Sequence, residues 1–227
     1  MVYARDTEAG ELTFGVSGFL LRDALVMFDH QTDSLWSQFI GEAIDGPSQG
    51  TTLQLLPSRI TSWSDWRSEY PQGTAMDKAG MGRFPAQSFV FDTEAAEFVG
   101  EQTAEGISSH DLVLGVIAGS VHVAFLMKEL APQRVLNVEI GGVPVVATAD
   151  DGLYTGAVYK RTLDGEVLTF GSAADGFMVD AQTGSQWDVR IGAAVSGSHA
   201  GSSLERLPAR QSFWFAWKAY NPGTRLR

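Results

Sequence analysis

Cysteine is absent from the 227 residues, so the chain can form no disulfide, no thiolate metal site and no thiol nucleophile from its own side chains. Positive charge is scarce: 16 Lys and Arg stand against 27 Asp and Glu, a net charge of −11. With a pI near 4.7 there is no broad basic surface to release counterions from a nucleic acid or to dock on an anionic bilayer, which argues against both as partners. Long apolar runs are also missing. The longest, Leu112 to Met127, is broken by Gly115, Gly119, Ser120 and His122, so no transmembrane segment is expected. The opening Met-Val-Tyr-Ala-Arg-Asp lacks the apolar core of a signal peptide and leaves the compartment open. Histidine is rare, and His30, His110, His122 and His199 stand at no helical or hairpin spacing that pairs two of them as metal ligands. Gly141-Gly142 has neither a glycine-rich fingerprint nor a following Lys-Ser/Thr, so it reads as a turn and not a phosphate loop. No cofactor is implied.

What is present is a hydrophobic fraction of 44%, ample for one large domain or two small ones, and an internal repeat that organises the chain. Asp29, Gln31, Thr32, Ser34 and Trp36 recur 151 positions on as Asp180, Gln182, Thr183, Ser185 and Trp187. The same offset continues without a gap through Gly41/Gly192, Gly46/Gly197, Gly50/Gly201, Leu53/Leu204, Pro57/Pro208, Arg59/Arg210, Trp63/Trp214 and Trp66/Trp217. Identity at about sixteen of 38 aligned positions is several times what chance supplies. Upstream, Val2-Tyr3 and Leu12-Thr13-Phe14-Gly15 match Val158-Tyr159 and Leu168-Thr169-Phe170-Gly171 at an offset of 156, so the second copy is five residues shorter between the blocks. Residues 1–75 form repeat one, 76–109 a glycine-rich linker and 110–227 repeat two. The lead-in from His110 to Ala157 has no counterpart before Met1, so repeat one reads as N-terminally incomplete, short of a segment of about fifty residues that would complete its sheet.

The fold expected is mainly β with short helices, a β-rich α+β arrangement in a pseudo-twofold tandem repeat. Leu25 to Phe28, Ser34 to Gln38 and Thr52 to Leu55 are short β segments between polar or glycine turns, repeated at Phe177 to Val179, Ser185 to Val189 and Ser203 to Arg206. Val138 to Thr148 reads as a hairpin around Gly141-Gly142. Ser62 to Pro71 predicts one helix with Ser62 as N-cap and Pro71 as its stop, and Ser212 to Pro222 copies it. Each helix is expected to pin its indole pair, Trp63 with Trp66 or Trp214 with Trp217, onto a sheet. Further short helices are expected at Asp92 to Phe98 and around Leu126 to Leu130.

The ligand-binding candidates are the paired clusters Asp29, Thr32, Ser34 and Trp36, and Asp180, Thr183, Ser185 and Trp187. Each offers a carboxylate, two hydroxyls and an indole to a cation, a hydroxylated ligand or a sugar. The same residue types suit a hairpin loop, where Asp accepts backbone N–H bonds inside the turn, and the indoles suit a sheet core. Ser108-Ser109-His110-Asp111 holds the residue types of a hydrolase triad, without a nucleophile elbow. No catalytic residue and no metal site are assigned, and whether the chain is an enzyme stays open.

Phe14-Gly-Val-Ser-Gly18, Asp29-x-Gln-Thr-x-Ser-x-Trp36, Gly41-Glu-Ala-Ile44, Leu55-Leu-Pro-Ser58, Val138-x-Ile-Gly-Gly-Val-Pro-Val-Val146 and Ser212-Phe-Trp-Phe-Ala-Trp217 together resemble the bacterial and archaeal domain-of-unknown-function family numbered 3179. His30 departs from the pattern, which usually has Arg there. The resemblance implies a Cys-Pro-Leu-Cys-Gly segment just before the block matching Val2-Tyr3, with selenocysteine at the second position in some members, and an exported location for many. Because TGA encodes selenocysteine, the missing motif and the missing half-repeat are both expected from a start placed at Met1 downstream of such a codon. Where repeat two aligns with that motif it carries Asp150-Asp151-Gly152, with no redox residue. Two functions follow. One is a thiol or selenol redox protein whose motif lies upstream of Met1. The other is a non-catalytic, aromatic-rich binding or scaffold module for a glycan, peptide or protein partner, with dimerisation through an exposed sheet edge.

Overall fold

A computed structural model describes residues 1–58, 60–75, 103–150, 156–174 and 176–227. The first half is built from β1 (Val2–Tyr3), β2 (Asp6–Thr7), β3 (Gly10–Glu11), β4 (Phe14–Leu21), β5 (Ala24–Asp29), β6 (Leu35–Ser37), β7 (Glu42–Asp45), β8 (Leu55–Leu56) and α1 (Trp63–Glu69). A middle stretch follows: β9 (Leu112–Ala118), β10 (Val121–Leu126), α2 (Met127–Gln133), β11 (Val135–Ile140) and β12 (Val143–Ala149). The second half then runs β13 (Gly156–Lys160), β14 (Thr162–Leu163), β15 (Glu166–Val167), β16 (Phe170–Ser172), β17 (Phe177–Asp180), β18 (Gln186–Asp188), β19 (Ala194–Ser196), β20 (Ala209–Phe213), α3 (Trp214–Tyr220) and β21 (Arg225–Leu226). The chain is mainly β with short helices, as its sequence anticipates.

Two four-stranded antiparallel sheets, β4-β5-β6-β7 and β16-β17-β18-β19, share one strand order. Gly141 and Gly142, at φ 58° and 81°, turn the β11–β12 hairpin where expected, and β13 extends it to three strands. A further sheet, β20-β9-β10-β21, is antiparallel except where β21 runs parallel to β10. One core lies between these last two sheets and α2, with Leu114, Val116, Phe125, Met127, Leu130, Val145 and Val158 buried in it. On the other face of β9 and β10, Val113, Ala124 and Leu126 bury Trp214 and Trp217, and Phe39 from the first half enters the same cluster. Burying these apolar and aromatic side chains stabilises the fold by about 25 cal/mol per Å² of apolar area removed from water.

Local geometry recurs between the halves. Tyr3 lies over Gly41 and Tyr159 over Gly192, where an added Cβ would come within 2.4 and 2.6 Å of the ring. Each tyrosine donates its hydroxyl to a main-chain carbonyl, Phe39 O at 3.0 Å and Arg190 O at 2.6 Å. The five extra residues of the first half lie in the β4–β5 hairpin, whose eight-residue β4 stands against a three-residue β16. They form an arm that reaches the C-terminal helix: Arg22 Nη1 donates to Ala219 O at 2.7 Å, and the Tyr220 hydroxyl donates to Leu21 O at 2.5 Å. Phe39 stacks on Tyr220 with ring centroids 4.5 Å apart.

Two expectations need correction. The indole pair of α1 is not pinned to a sheet: no residue of α1 is buried and Trp63 is 59% exposed, whereas Trp214 and Trp217 are buried on β9 and β10. Thr52 to Leu55 and Ser203 to Arg206 are not full strands. They return from glycine turns and pair at single points, Thr52 with Glu42, Ser203 with Ala193 and Arg206 with Tyr159, while β8 holds only Leu55–Leu56. Within the segment read as a linker, the described residues 103–109 place Ile107 in the cluster around Trp214 and pair Glu105 with Lys218 at 2.9 Å. The helix expected at Asp92 to Phe98 lies outside the described residues, as do Asp151 and Gly152 of the expected turn. The helix expected around Leu126 to Leu130 is α2.

Candidate functional site

The eight candidate residues come together as two matching clusters at the β5–β6 and β17–β18 turns. Asp29 and Asp180 close their strands and are fully buried. Each begins a tight turn in which its carbonyl accepts an N–H four residues on, from Asp33 at 3.0 Å and from Gly184 at 3.0 Å. Those two donors occupy the same left-handed position, at φ 56° and 70°. This is the Asx-type turn that a short polar side chain favours.

In the first cluster, the Asp29 carboxylate accepts from Gln31 N at 3.1 Å, Thr32 N at 2.5 Å, Thr32 Oγ1 at 2.8 Å and the Trp36 indole N–H at 2.8 Å. In the second, Asp180 accepts from Thr183 N at 2.6 Å, Thr183 Oγ1 at 2.9 Å and the Trp187 indole N–H at 2.9 Å. The hydroxyls are linked as well, Thr32 to Ser34 at 2.6 Å and Thr183 to Ser185 at 2.7 Å. Ser34 Oγ accepts from Ser48 N, and Ser185 Oγ from His199 N, which ties the next turn to each cluster. Both indoles are fully buried, and each meets a phenylalanine edge-on, Phe14 or Phe170, with centroids 5.6 Å apart.

The electrostatics follow from this geometry. Burial alone pushes the pKa of Asp29 up, but the bonds donated by Trp36, Thr32 and Gln31 together outweigh it and hold the carboxyl below its usual range. Asp180 is likewise lowered: burial opposes ionisation, and Trp187, Thr183 and the nearby His199 favour it. Both carboxylates direct their acceptor capacity inward and join strand to turn to indole. In this conformation neither indole offers a face to solvent.

The halves differ at one point of the rim. His199 stands where the first cluster has Ser48; its ring lies 5.8 Å from Trp187 and its buried Nε2 has no hydrogen-bond partner among the described residues. Gln31 and Gln182, which the site reading did not include, brace both clusters from outside by accepting Thr13 N at 2.9 Å and Thr169 N at 3.0 Å. The signal for them was present, since both lie in the repeated Asp-x-Gln-Thr block. Of the triad-like residues, Asp111 accepts from Ser108 N at 2.9 Å and pairs with Lys128 at 2.6 Å, and His110 packs against Phe213 and Phe215. The carboxylate is thus engaged away from the imidazole. Among the described residues no group of His, Asp and Glu could hold a metal ion, and no helix is long and apolar enough to cross a membrane.

Comparison with known proteins returns one family. The model described as "Protein of unknown function (DUF3179)" matches residues 1–224, nearly the whole chain. No curated protein matches, and no solved structure matches.

Proposed function

The chain belongs to the DUF3179 family, and from that premise we propose that it is a non-catalytic, internally duplicated binding module. Residues 1–75 are one repeat, 76–109 connect, and 110–227 are the other. The paired Asp–Thr–Ser–Trp clusters are its framework, and a peptide or protein partner is met by the aromatic face of α1. The observation that carries this reading is Trp63, 59% exposed and stacked 5.2 Å from Trp66. A large aromatic held open to water beside a second one is the kind of anchor that interfaces are built around. Duplication is supported by the matching networks Trp36–Asp29 and Trp187–Asp180, made at 2.8 and 2.9 Å by residues 151 positions apart.

Selection of a displayed random-peptide library on the full chain, in parallel with Trp63→Ala, tests this reading. Enriched peptides should bind the parent and lose at least about tenfold in affinity for the variant, as removal of an aromatic anchor predicts. Peptides that bind both equally, or binding only to a glycan array, would overturn it.

The redox alternative is supported by the family resemblance, in which the cysteine or selenocysteine motif would precede the Val2–Tyr3 block; among the described residues β1 pairs with β8 alone. It predicts no thiol-dependent turnover from these 227 residues and restored turnover when the motif is joined upstream. An assay of peroxide reduction with and without that segment separates the two readings.

A further inference from the structure

Buried polar atoms in a folded chain are nearly always hydrogen-bonded, so a group of unpartnered ones marks a place where a ligand would be held. Ser37 Oγ, Arg210 Nε and Ser212 Oγ are buried and have no hydrogen-bond partner among the described residues. Strand register turns all three toward one seam. Ser212 and Arg210 lie two residues apart on β20, opposite Val113 and Gly115 of β9. Residues directly opposite in an antiparallel pair project to the same face. That face is the one that α3 covers, with Val113 in the cluster of Trp214 and Trp217 and the Trp217 indole over Gly115. From the other side, Ser37 stands opposite Val26 of β5, and Ala24, two residues before Val26 and on its face, packs against the same cluster. Tyr3 completes the link: its hydroxyl donates to Phe39 O at 3.0 Å, and Phe39 belongs to that cluster. Burial raises the pKa of this hydroxyl, and the Arg210 guanidinium facing it opposes the rise.

The charges at the seam are also unbalanced. Arg190, Lys128 and Lys218 each meet a carboxylate, Asp188, Asp111 and Glu105, at 2.8, 2.6 and 2.9 Å. Among the described residues no carboxylate pairs with Arg210. At the position of Ser37 the second half has Asp188, which accepts from Arg190 Nε at 3.2 Å and Nη2 at 2.8 Å. The first half keeps that strand and has a hydroxyl in place of the carboxylate. We propose that this seam binds a small oxyanion, a carboxylate or phosphate group, on Arg210 Nε and the hydroxyls of Ser212 and Ser37. An ionised oxyanion only accepts hydrogen bonds, the guanidinium only donates, and each hydroxyl can turn its proton inward, so one group answers all three. A cation would be repelled by the guanidinium, and water would satisfy the hydrogen bonds while leaving a partly buried charge uncompensated. The net charge of −11 opposes an incoming anion at long range, so the contacts alone must hold it and the affinity should be millimolar. The inference is separate from the contact face of α1 and does not depend on it.

The test uses the intact 227-residue chain. The NMR signal of Arg210 Nε–Hε, assigned by its loss in Arg210→Lys, is followed as sodium phosphate or sodium acetate is added, with sodium chloride at equal ionic strength as the reference. The expected result is a saturable shift with phosphate, acetate or both, and none with chloride. Response to one alone names the source of the oxyanion as phosphate or carboxylate. Thermal melts should rise by about 3 °C or more near saturation. Arg210→Gln and Ser212→Ala should each remove most of that rise, and Arg22→Gln, on the arm, should keep it. Ser37→Ala deletes a single hydroxyl and should weaken binding about tenfold, which keeps the test open if Arg210→Gln does not fold. An Arg210 signal that stays in place, or moves equally in chloride, overturns the proposal, as does a full rise retained in Arg210→Gln. So does a crystal grown with phosphate and acetate that shows only ordered water between Arg210 and Ser212.

Discussion

Helices α1 and α3 share a Trp-x-x-Trp spacing and the same seven-residue length, yet α1 has no buried residue while α3 buries both of its indoles. They are also held differently. Ser62 caps α1, its Oγ accepting from Asp65 N at 3.1 Å, while α3 begins at Phe213 with no side-chain cap. A seven-residue helix is far too short to persist alone. The capped helix therefore leans on local hydrogen bonding, and the uncapped one on the sheet that its indoles cover. Repetition of a motif transmits its shape but not its burial, because burial depends on what else the chain places there.

The largest expected effect separates the two helices outright. Trp217→Ala should cost about 3–5 kcal/mol in urea unfolding, as emptying a packed aromatic site does, while Trp63→Ala should stay within about 0.5 kcal/mol as a surface change. Similar losses from both would dissolve the comparison. Where the halves match, they should respond alike. Asp29→Ala and Asp180→Ala each orphan an indole N–H and a turn N–H, and each should cost about 1–3 kcal/mol. A large loss from only one of them would mean that the two clusters are not equivalent.

Both carboxyls have pKa values lowered by folding. Their contribution to stability is therefore complete above the unfolded carboxylate value of about 3.9 and fades as pH falls through the lower folded values. Acid titration followed by tryptophan fluorescence should give a transition below about pH 4. In Asp180→Asn the pH dependence should be shallower, and an unchanged slope would deny the carboxylate its role. Ser62→Ala should cost about 1 kcal/mol, confined to α1 and seen as faster amide exchange over 62–70. Smallest is the arm: Arg22→Ala removes a bond to Ala219 O and a guanidinium 5.3 Å from the Tyr220 ring, for about 0.5–1 kcal/mol. Thermal melts of the parent and the variant should show a slight downward shift.

Much of the architecture was legible because its determinants are local. Asp at the strand end, Thr three residues on and a left-handed residue after that specify a turn wherever they occur, so the β5–β6 and β17–β18 hairpins could be placed from spacing. Ser62 and Pro71 bracket α1, and Gly141-Gly142 marks its hairpin, for the same reason. The candidate clusters were legible as groups of residues. That their carboxylates turn inward onto Trp36 and Trp187 was not, since the indole lies seven residues along on the adjoining strand and only the pairing of β5 with β6 or β17 with β18 brings it back. The arm was hidden differently. Five additional residues read as slack in an alignment, and their purpose depends on Tyr220, nearly two hundred positions away.

The sequence by itself determined the turns, the cap of α1 and the mainly β character, because each rests on backbone preferences within a few residues. Only the tertiary structure decided which indoles are covered. That outcome depends on β9 and β10 crossing beneath α3 with Gly115 at the point of closest approach, while among the described residues no strand takes that place at α1. Such long-range contacts are invisible to spacing, since the residues that make them are ordinary in their own local setting.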